Sequence, residues 1–494
     1  MTLESPEQAD ERVIEQVNDQ VHEPVSEQAG EYAAQLAASA HPRIAMTANG
    51  NRMPPGPKGL PVLGVSLNLL RDPLELMRRA ARQYGDVVRI PVILQSRILL
   101  NHPDYVQQVL LFQQSKFHKS TLTKETTERL LGQGLLISEG DFWRRQRRLA
   151  QPAFHRHRIN EYAPTMLECA DIKARDWRDG DTRNMAEEMM ELTLEAAVRT
   201  LFGTTLPGEA QQVGRAMTFL MRYSLRRARS PLRIPANWPT PKNRRATREF
   251  DFLDSLVYRI IAERKAQGSG HRHNDLLSML MGAMDEDGTQ MTPRQLRDEI
   301  MTLFLAGHET TALTLSWTWY LLSQNPAAEA RLHEELAGVL GGRAPGVADI
   351  ERLPYLNAVI SEVLRMYPPA YIMARTSIAP SNIGGYDFPV GSTILLSQWV
   401  MHRDARYFDD PDSFRPERWL DGLADRLPAG AYFPFGDGPR RCIGQGFALL
   451  ESALVIATLA QRFRFRLVPG TVVVPEPLVT LRPKNGIPMT FHTR

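Results

Sequence analysis

Phe435-Gly436-Asp437-Gly438-Pro439-Arg440-Arg441-Cys442-Ile443-Gly444 reads as F-x-x-G-x-R-x-C-x-G, and the rest of the chain is best understood outward from it. With average composition, five such fixed positions arise by chance in a chain this long with odds on the order of 10⁻⁴. Each position has a chemical task. Glycines, Gly436 among them, let backbone approach a flat cofactor and turn where a Cβ would clash. Backbone N–H groups around Cys442 can hydrogen-bond its sulfur, while Phe435 can shield that sulfur from water. Arg440 offers a charge-assisted fork to a carboxylate. The helix-like run 445–460 follows at once, so the sulfur sits just before a helix N-terminus, where the dipole favours an anion and lowers the thiol pKa. A lone thiol in a glycine-rich loop is more often a buried structural cysteine, so other parts of the chain have to decide.

Composition narrows the field. The chain has 494 residues, 43% of them hydrophobic and 23% charged, which suits a large globular protein and excludes a fibre. No apolar run reaches the roughly 18 residues a membrane span needs. Residues 1–51 carry nine acidic side chains against the basic Arg12, Arg43 and Arg52 just beyond, and do not read as a signal or transit peptide. Nine acids and two bases give the first fifty residues a charge of −7, and taking that from the +3 of the whole chain leaves the remainder at +10. An acidic extension therefore precedes a basic body. Arg144, Arg145, Arg147 and Arg148 cluster without the aromatic interleaving of a nucleic-acid site, so an acidic protein partner is expected and nucleic acid is not. Cys169 and Cys442 are the only cysteines, which excludes a disulfide framework and fits a reducing, cytoplasmic setting.

Along the chain, 1–51 reads as a flexible acidic extension, ended by the proline-glycine cluster 53–64. Extended runs are expected at 87–92 and 97–101. Helical periodicity dominates from about 105 to 367, broken at 203–208, 230–241, 268–273, 285–288 and 341–346. Short β-like runs follow at 393–396, 472–474 and 478–481. The breaks are too short for inter-domain linkers, so 52–494 reads as one mainly α domain with a small β region. His155/His157 and His271/His273 lack further ligand-type neighbours and read as surface residues, and 285–288 reads as a turn and not a calcium loop, because Leu296 stands where the bidentate acid belongs.

Three further patterns carry chemistry. Thr292-Pro293-Arg294-Gln295 is a helix start with a threonine cap, proline at the first position and glutamine closing a capping box. The helix should run to about 323, and in its middle Ala306-Gly307-His308-Glu309-Thr310-Thr311 breaks an apolar pattern at a cost of about 1 kcal/mol for the glycine alone. Rules broken mid-helix mark function. Glu362 and Arg365 lie three apart on one helical face, and Trp143 and Arg147 lie four apart on another.

Taken together, these segments resemble the cytochrome P-450 family, from about residue 52 to the C-terminus. The resemblance implies the cytochrome P-450 fold, an α+β single haem domain, binding haem b (iron protoporphyrin IX) with Cys442 as axial ligand of the iron. It makes Ala306 a small residue beside the haem, Thr310 a hydrogen-bond donor to dioxygen and Glu309 a relay of protons from solvent, so that the O–O bond breaks to give water. Arg440, Trp143, Arg147 and Arg375 become contacts to the haem propionates. Phe414-Arg415-Pro416-Glu417-Arg418-Trp419 resembles a second fixed segment of the family, whose Arg418 completes a structural network with Glu362 and Arg365. The implied activity is that of a monooxygenase, an oxidoreductase inserting one oxygen atom into an apolar organic substrate such as a fatty acid, terpenoid, steroid or polyketide. Two cysteines cannot supply a four-cysteine iron–sulfur cluster, and the haem domain that the resemblance implies takes up nearly all the length, so no flavin module is expected. Electrons are therefore expected from a separate ferredoxin or flavodoxin with its NAD(P)H-dependent reductase, acting on a monomer without a membrane anchor. The competing expectations are a haem-thiolate isomerase, dehydratase or peroxygenase, which such an intact Glu309-Thr310 pair disfavours, and a non-catalytic haem sensor. Phe304, Ala306, Ile372, Met373 and the stretch 122–135 are expected to border an apolar pocket.

Overall fold

The computed structural model describes residues 53–494 except 94, 206–207, 230–234, 236, 268–274, 283, 285–287 and 289. The expected acidic extension, His271/His273 and nearly all of 285–288 lie outside the described residues. His155 and His157 are exposed. Long helices build the body: α1 Thr121–Leu131, α2 Gly140–Ala150, α3 Arg156–Arg175, α4 Met185–Phe202, α5 Ala210–Arg229, α6 Pro241–Ala266, α7 Pro293–Gln324, α8 Pro354–Met366 and α9 Gln445–Arg462. The capping box forms as its four residues predict: the Thr292 hydroxyl accepts from Gln295 N–H and the Gln295 side chain accepts from Thr292 N–H. α7 then runs 32 residues through the middle of the core, buried on nearly all sides. Such a helix needs apolar residues all round, which Leu303, Leu313, Leu315, Trp317 and Leu321 supply.

The β region is small. Strands β1 Val87–Val92, β2 Gln95–Leu100, β3 Phe117–Lys119, β5 Met373–Ser377 and β6 Thr393–Leu396 form one sheet in the order β1-β2-β6-β5-β3, with only the β2–β6 pair parallel. A second sheet joins β4 Thr182–Asn184, β7 Phe463–Leu467 and β10 Pro488–Thr493. Of the two remaining two-stranded ribbons, one pairs Ser381–Ile383 with Tyr386–Phe388, and the other corrects the sequence reading. Residues 472–474 are not a strand, and 478–481 is mostly the turn of a hairpin whose strands are β8 Pro475–Pro477 and β9 Leu481–Pro483. Its prolines sit on a two-stranded ribbon where ladder hydrogen bonds are few, so the missing N–H groups do little harm. Leu481 anchors this hairpin on two sides: its N–H bonds Pro369 O at 2.9 Å, and its carbonyl accepts from the Trp317 indole of α7 at 3.1 Å.

Candidate active site

The Cys442 loop is closed on itself and clamped from both flanks. Cys442 N–H bonds Phe435 O at 2.9 Å, and Phe435 packs on the core shared by α7 and α8. Gly436 and Gly438 take φ of +74° and +66°, which side chains resist. A Cβ on Gly438 would also lie 2.0 Å from the Leu110 carbonyl, so this position tolerates only glycine. On the other flank Arg440 lies over the Trp143 ring, 4.2 Å from its centroid, and Arg147 donates to the Arg441 carbonyl at 2.9 Å. Trp143 and Arg147 thus share a helix face as their spacing requires, but in this structure they hold the loop. Arg145 and Arg147 are half-buried, leaving Arg144 and Arg148 as the exposed pair of the expected basic face.

Beneath the loop a buried ion network fixes its geometry. Glu362 accepts two bonds from Arg365 at 2.8 Å, one from Arg418 at 3.1 Å, one from the Trp419 indole at 2.9 Å and one from Arg415 N–H at 2.9 Å. Remaining guanidinium N–H groups go to backbone carbonyls of His402, Pro411, Ser413 and Asp409. Burial by itself would raise the Glu362 carboxyl, but these donors hold it below its ordinary value. Every hydrogen-bonding site of the carboxylate is used, the condition under which a buried ion group is stable.

Cys442 itself behaves differently from the expectation of a lowered pKa. Burial raises its thiol, outweighing the Gly444 N–H and the cations Arg147 and Arg441 that pull it down. Its sulfur nevertheless belongs to an exposed residue. The same contrast recurs on α7, where Ala306 is exposed and Gly307 and Thr310 are half-exposed within a run buried from Leu296 to Leu322. Ile443 and Phe304 pack on one core, which brings loop and helix together. Phe304, expected at a substrate pocket, is instead a core residue against Phe202 and His308, because its position on α7 faces α4. Ile372 packs on the core beside β1 and β2, while Met373 reaches the Gly436 turn.

A cluster of cations completes the site. Arg375 is buried, and among the described residues its guanidinium donates to the neighbouring Ala374 carbonyl at 3.1 Å. Burial and then Arg440 push it down to about 10. Lys119 is lowered further by burial and by Arg375 and Arg440. Against these three cations stands one carboxylate, Glu139, which pairs with Arg440 and accepts Lys119 N–H at 2.5 Å. Three cations, one buried and two half-buried, against a single carboxylate fit a group carrying two carboxylates, and the Cys442 thiol beside a clamped glycine loop fits a soft metal ligand. The residues therefore fit haem. Lys119 and Glu139 escaped the sequence reading, since neither belongs to a spaced motif.

On α7 the acid and the hydroxyl both have partners. Thr310 donates to the Ala306 carbonyl at 2.8 Å. Glu309, 1% exposed, is held through Oε1 by Arg482 at 2.6 and 2.8 Å and by the Thr480 hydroxyl. Arg482 also bonds the Thr218 hydroxyl of α5 at 2.7 Å. The sequence reading missed Arg482, whose only signal is a lone cation in the apolar run 478–483.

Residues 54–489 match the family model described as Cytochrome P450. The chain belongs to the cytochrome P450 family. It is 39% identical to cyclooctatin synthase of Streptomyces melanosporofaciens over 86% of this chain and 92% of that one. It is 37% identical to cyclooctat-9-en-7-ol 5-monooxygenase of the same organism, over 84% and 90%. It is 33% identical to pentalenene oxygenase of Streptomyces avermitilis, over 90% and 96%. As a cytochrome P450, the protein is a haem-binding oxidoreductase, a monooxygenase using dioxygen, an organic substrate and redox partners. No described helix is long and apolar enough to cross a membrane.

Proposed function

We propose that the protein is a cytoplasmic, monomeric terpenoid monooxygenase, hydroxylating or epoxidising a carbocyclic alkene or its alcohol, with electrons from a separate ferredoxin or flavodoxin and its NAD(P)H-dependent reductase. The observation that carries the reading is the conjunction of the clamped Cys442 loop with the cations Arg375, Lys119 and Arg440 and the opened face at Ala306. The relatives' names support the substrate class: two of them act on pentalenene and on cyclooctat-9-en-7-ol.

In this reading haem, when bound, would supply the redox iron for reducing dioxygen, and Cys442 would be the residue that holds that iron. Arg375, Arg440 and Lys119 would hold the propionates, and Trp143 and Arg147 keep the Arg440–Arg441 turn in place. Ala306 and Gly307 leave room above the ring. Thr310 turns its hydroxyl from the Ala306 carbonyl to donate a hydrogen bond in the site. Glu309 passes protons inward once Arg482, which also lines the neighbouring cleft, releases it.

Cys442→Ser should retain the fold and lose the red-shifted ferrous carbon monoxide band of thiolate-ligated haem; retention of that band would remove Cys442 as ligand. A panel of cyclic terpenes, terpene alcohols, fatty acids and steroids tests the substrate class through spin-state shifts of the haem. Shifts confined to fatty acids would overturn the terpenoid assignment. Reversing Arg144 and Arg148 to Glu should slow reduction by an acidic ferredoxin several-fold at low salt and hardly at high salt.

A further inference from the structure

A cleft of roughly 1220 Å³ lies between α4, α5, the first turn of α6 and strand β9. Its walls carry eight cations against three carboxylates. On α5 the cations are not scattered: Arg215, Arg222 and Arg226, at i, i+7 and i+11, share one stripe with Phe219. Like charges at helical spacing repel one another and weaken a helix, so the stripe is unfavourable unless something negative meets it. Glu476 meets Arg222 at 2.8 Å, and Arg245 lies over Phe219 and pairs with Glu249. Among the described residues, Arg215, Arg226, Lys242 and Lys484 have no carboxylate partner. Two of the wall carboxylates are engaged elsewhere, Glu191 with Lys173 at 2.6 Å and Glu187 with Asn184 at 2.8 Å.

α6 adds to the imbalance. It is 26 residues long, has no acid in its first turn, and begins Pro241-Lys242 behind the Thr240 cap at the edge of the cleft. A helix N-terminus already carries positive potential, and a lysine there works against helix stability. N-terminus, lysine and arginine stripe all point to an anion.

We propose that this cleft binds a multiply charged anion, a diphosphate group held by Arg215, Arg226, Lys242 and Lys484. Four separated cations match a charge spread over two phosphates better than a single carboxylate does. The floor of the cleft is Arg482, the same guanidinium that holds Glu309 at 2.6 Å. An anion bound here draws on Arg482 and so weakens its hold on Glu309.

The test uses the full-length, haem-loaded protein and titration calorimetry with inorganic diphosphate against sodium chloride and sulfate at matched ionic strength. Saturable binding is expected, weakened about tenfold for each cation removed, in Arg215→Ala/Arg226→Ala and in Lys242→Ala. All three side chains are exposed, and an unchanged thermal melt and haem spectrum would show that these variants fold. A medium-chain alkyl diphosphate separates the two sources of such a group. If it binds and shifts the haem spectrum, the ligand is an ester reaching the active site. If only the free anion binds, with no shift, the ligand is free diphosphate; either result supports the site. Heat no greater than that of the matched salts, or undiminished binding in the double variant, overturns it.

Discussion

The two sides of the active site are built on opposite plans. The Cys442 side is over-determined: its loop is closed by Cys442–Phe435, wedged by Gly438 against Leu110, stacked through Arg440 on Trp143, and supported by a carboxylate, Glu362, whose acceptor sites are all filled. The Glu309 side has far fewer contacts. There one carboxylate oxygen meets one arginine and one hydroxyl, both from a two-stranded ribbon, and Thr310 bonds only its own helix. A ligand that must hold a metal in one geometry needs rigidity, whereas a group that moves protons must exchange partners.

The sharpest way to break this contrast is Glu362→Ala. It leaves Arg365 and Arg418 buried and unpaired, and should destabilise the fold by roughly 3–5 kcal/mol, seen as lost haem and a collapsed thermal melt. A mild effect there would mean that the proximal rigidity has another source. Next in size, Glu309→Gln should lower the melt less than Glu362→Ala, because the amide oxygen still accepts from Arg482 although its buried charge is left unpaired, and should cut product formation roughly 10²-fold, with reductant consumed faster than product forms. Arg482→Lys should sit between wild type and Arg482→Gln in the same coupling ratio; equal behaviour of all three would mean that Arg482 does not position Glu309.

A pH-dependent effect, small at any one pH step, concerns Glu451 of α9, which is fully buried. Neither oxygen has a donor in hydrogen-bonding geometry, and the adjacent Thr311 hydroxyl points to the Gly307 carbonyl. Burial raises this carboxyl to about 8. Its ordinary value is 4.5, so the unfolded chain loses the proton first as pH rises. Stability from this group is complete below pH 4.5 and declines toward pH 8, by at most about 1.4 kcal/mol per pH unit. Urea midpoints of Glu451→Gln should therefore be flatter than wild type across that window. Parallel curves would assign the slope to another group, with Glu299, pushed up to about 7 by burial and then by Asp298, the next to test.

How legible each side was follows from the same contrast. The loop 435–444 and the α7 start at Thr292 are set by neighbours a few residues apart, so spacing alone carries them. Strands Val87–Val92 and Thr393–Leu396 stood out for the same local reason. The ribbon β8–β9 did not, because prolines hide strands that are held by Pro369 and Trp317 and not by β propensity. Phe304 was misplaced because periodicity tells that a helix is buried on all sides but not which neighbour each side meets.

From its sequence alone this protein declares a cysteine loop, a broken apolar helix and the Glu362-Arg365 pair, since each is short-range and obeys backbone geometry or helical spacing. Only the tertiary structure decided that Glu139 and Lys119 join Arg440 and Arg375, that Arg482 reaches Glu309 from 173 positions away, and that the arginines of α5 face one cleft. Partners at such separations are chosen by how whole helices pack, and no local pattern encodes that. Packing also sets burial against the helix dipole at the Cys442 thiol, the one raising its pKa and the other lowering it.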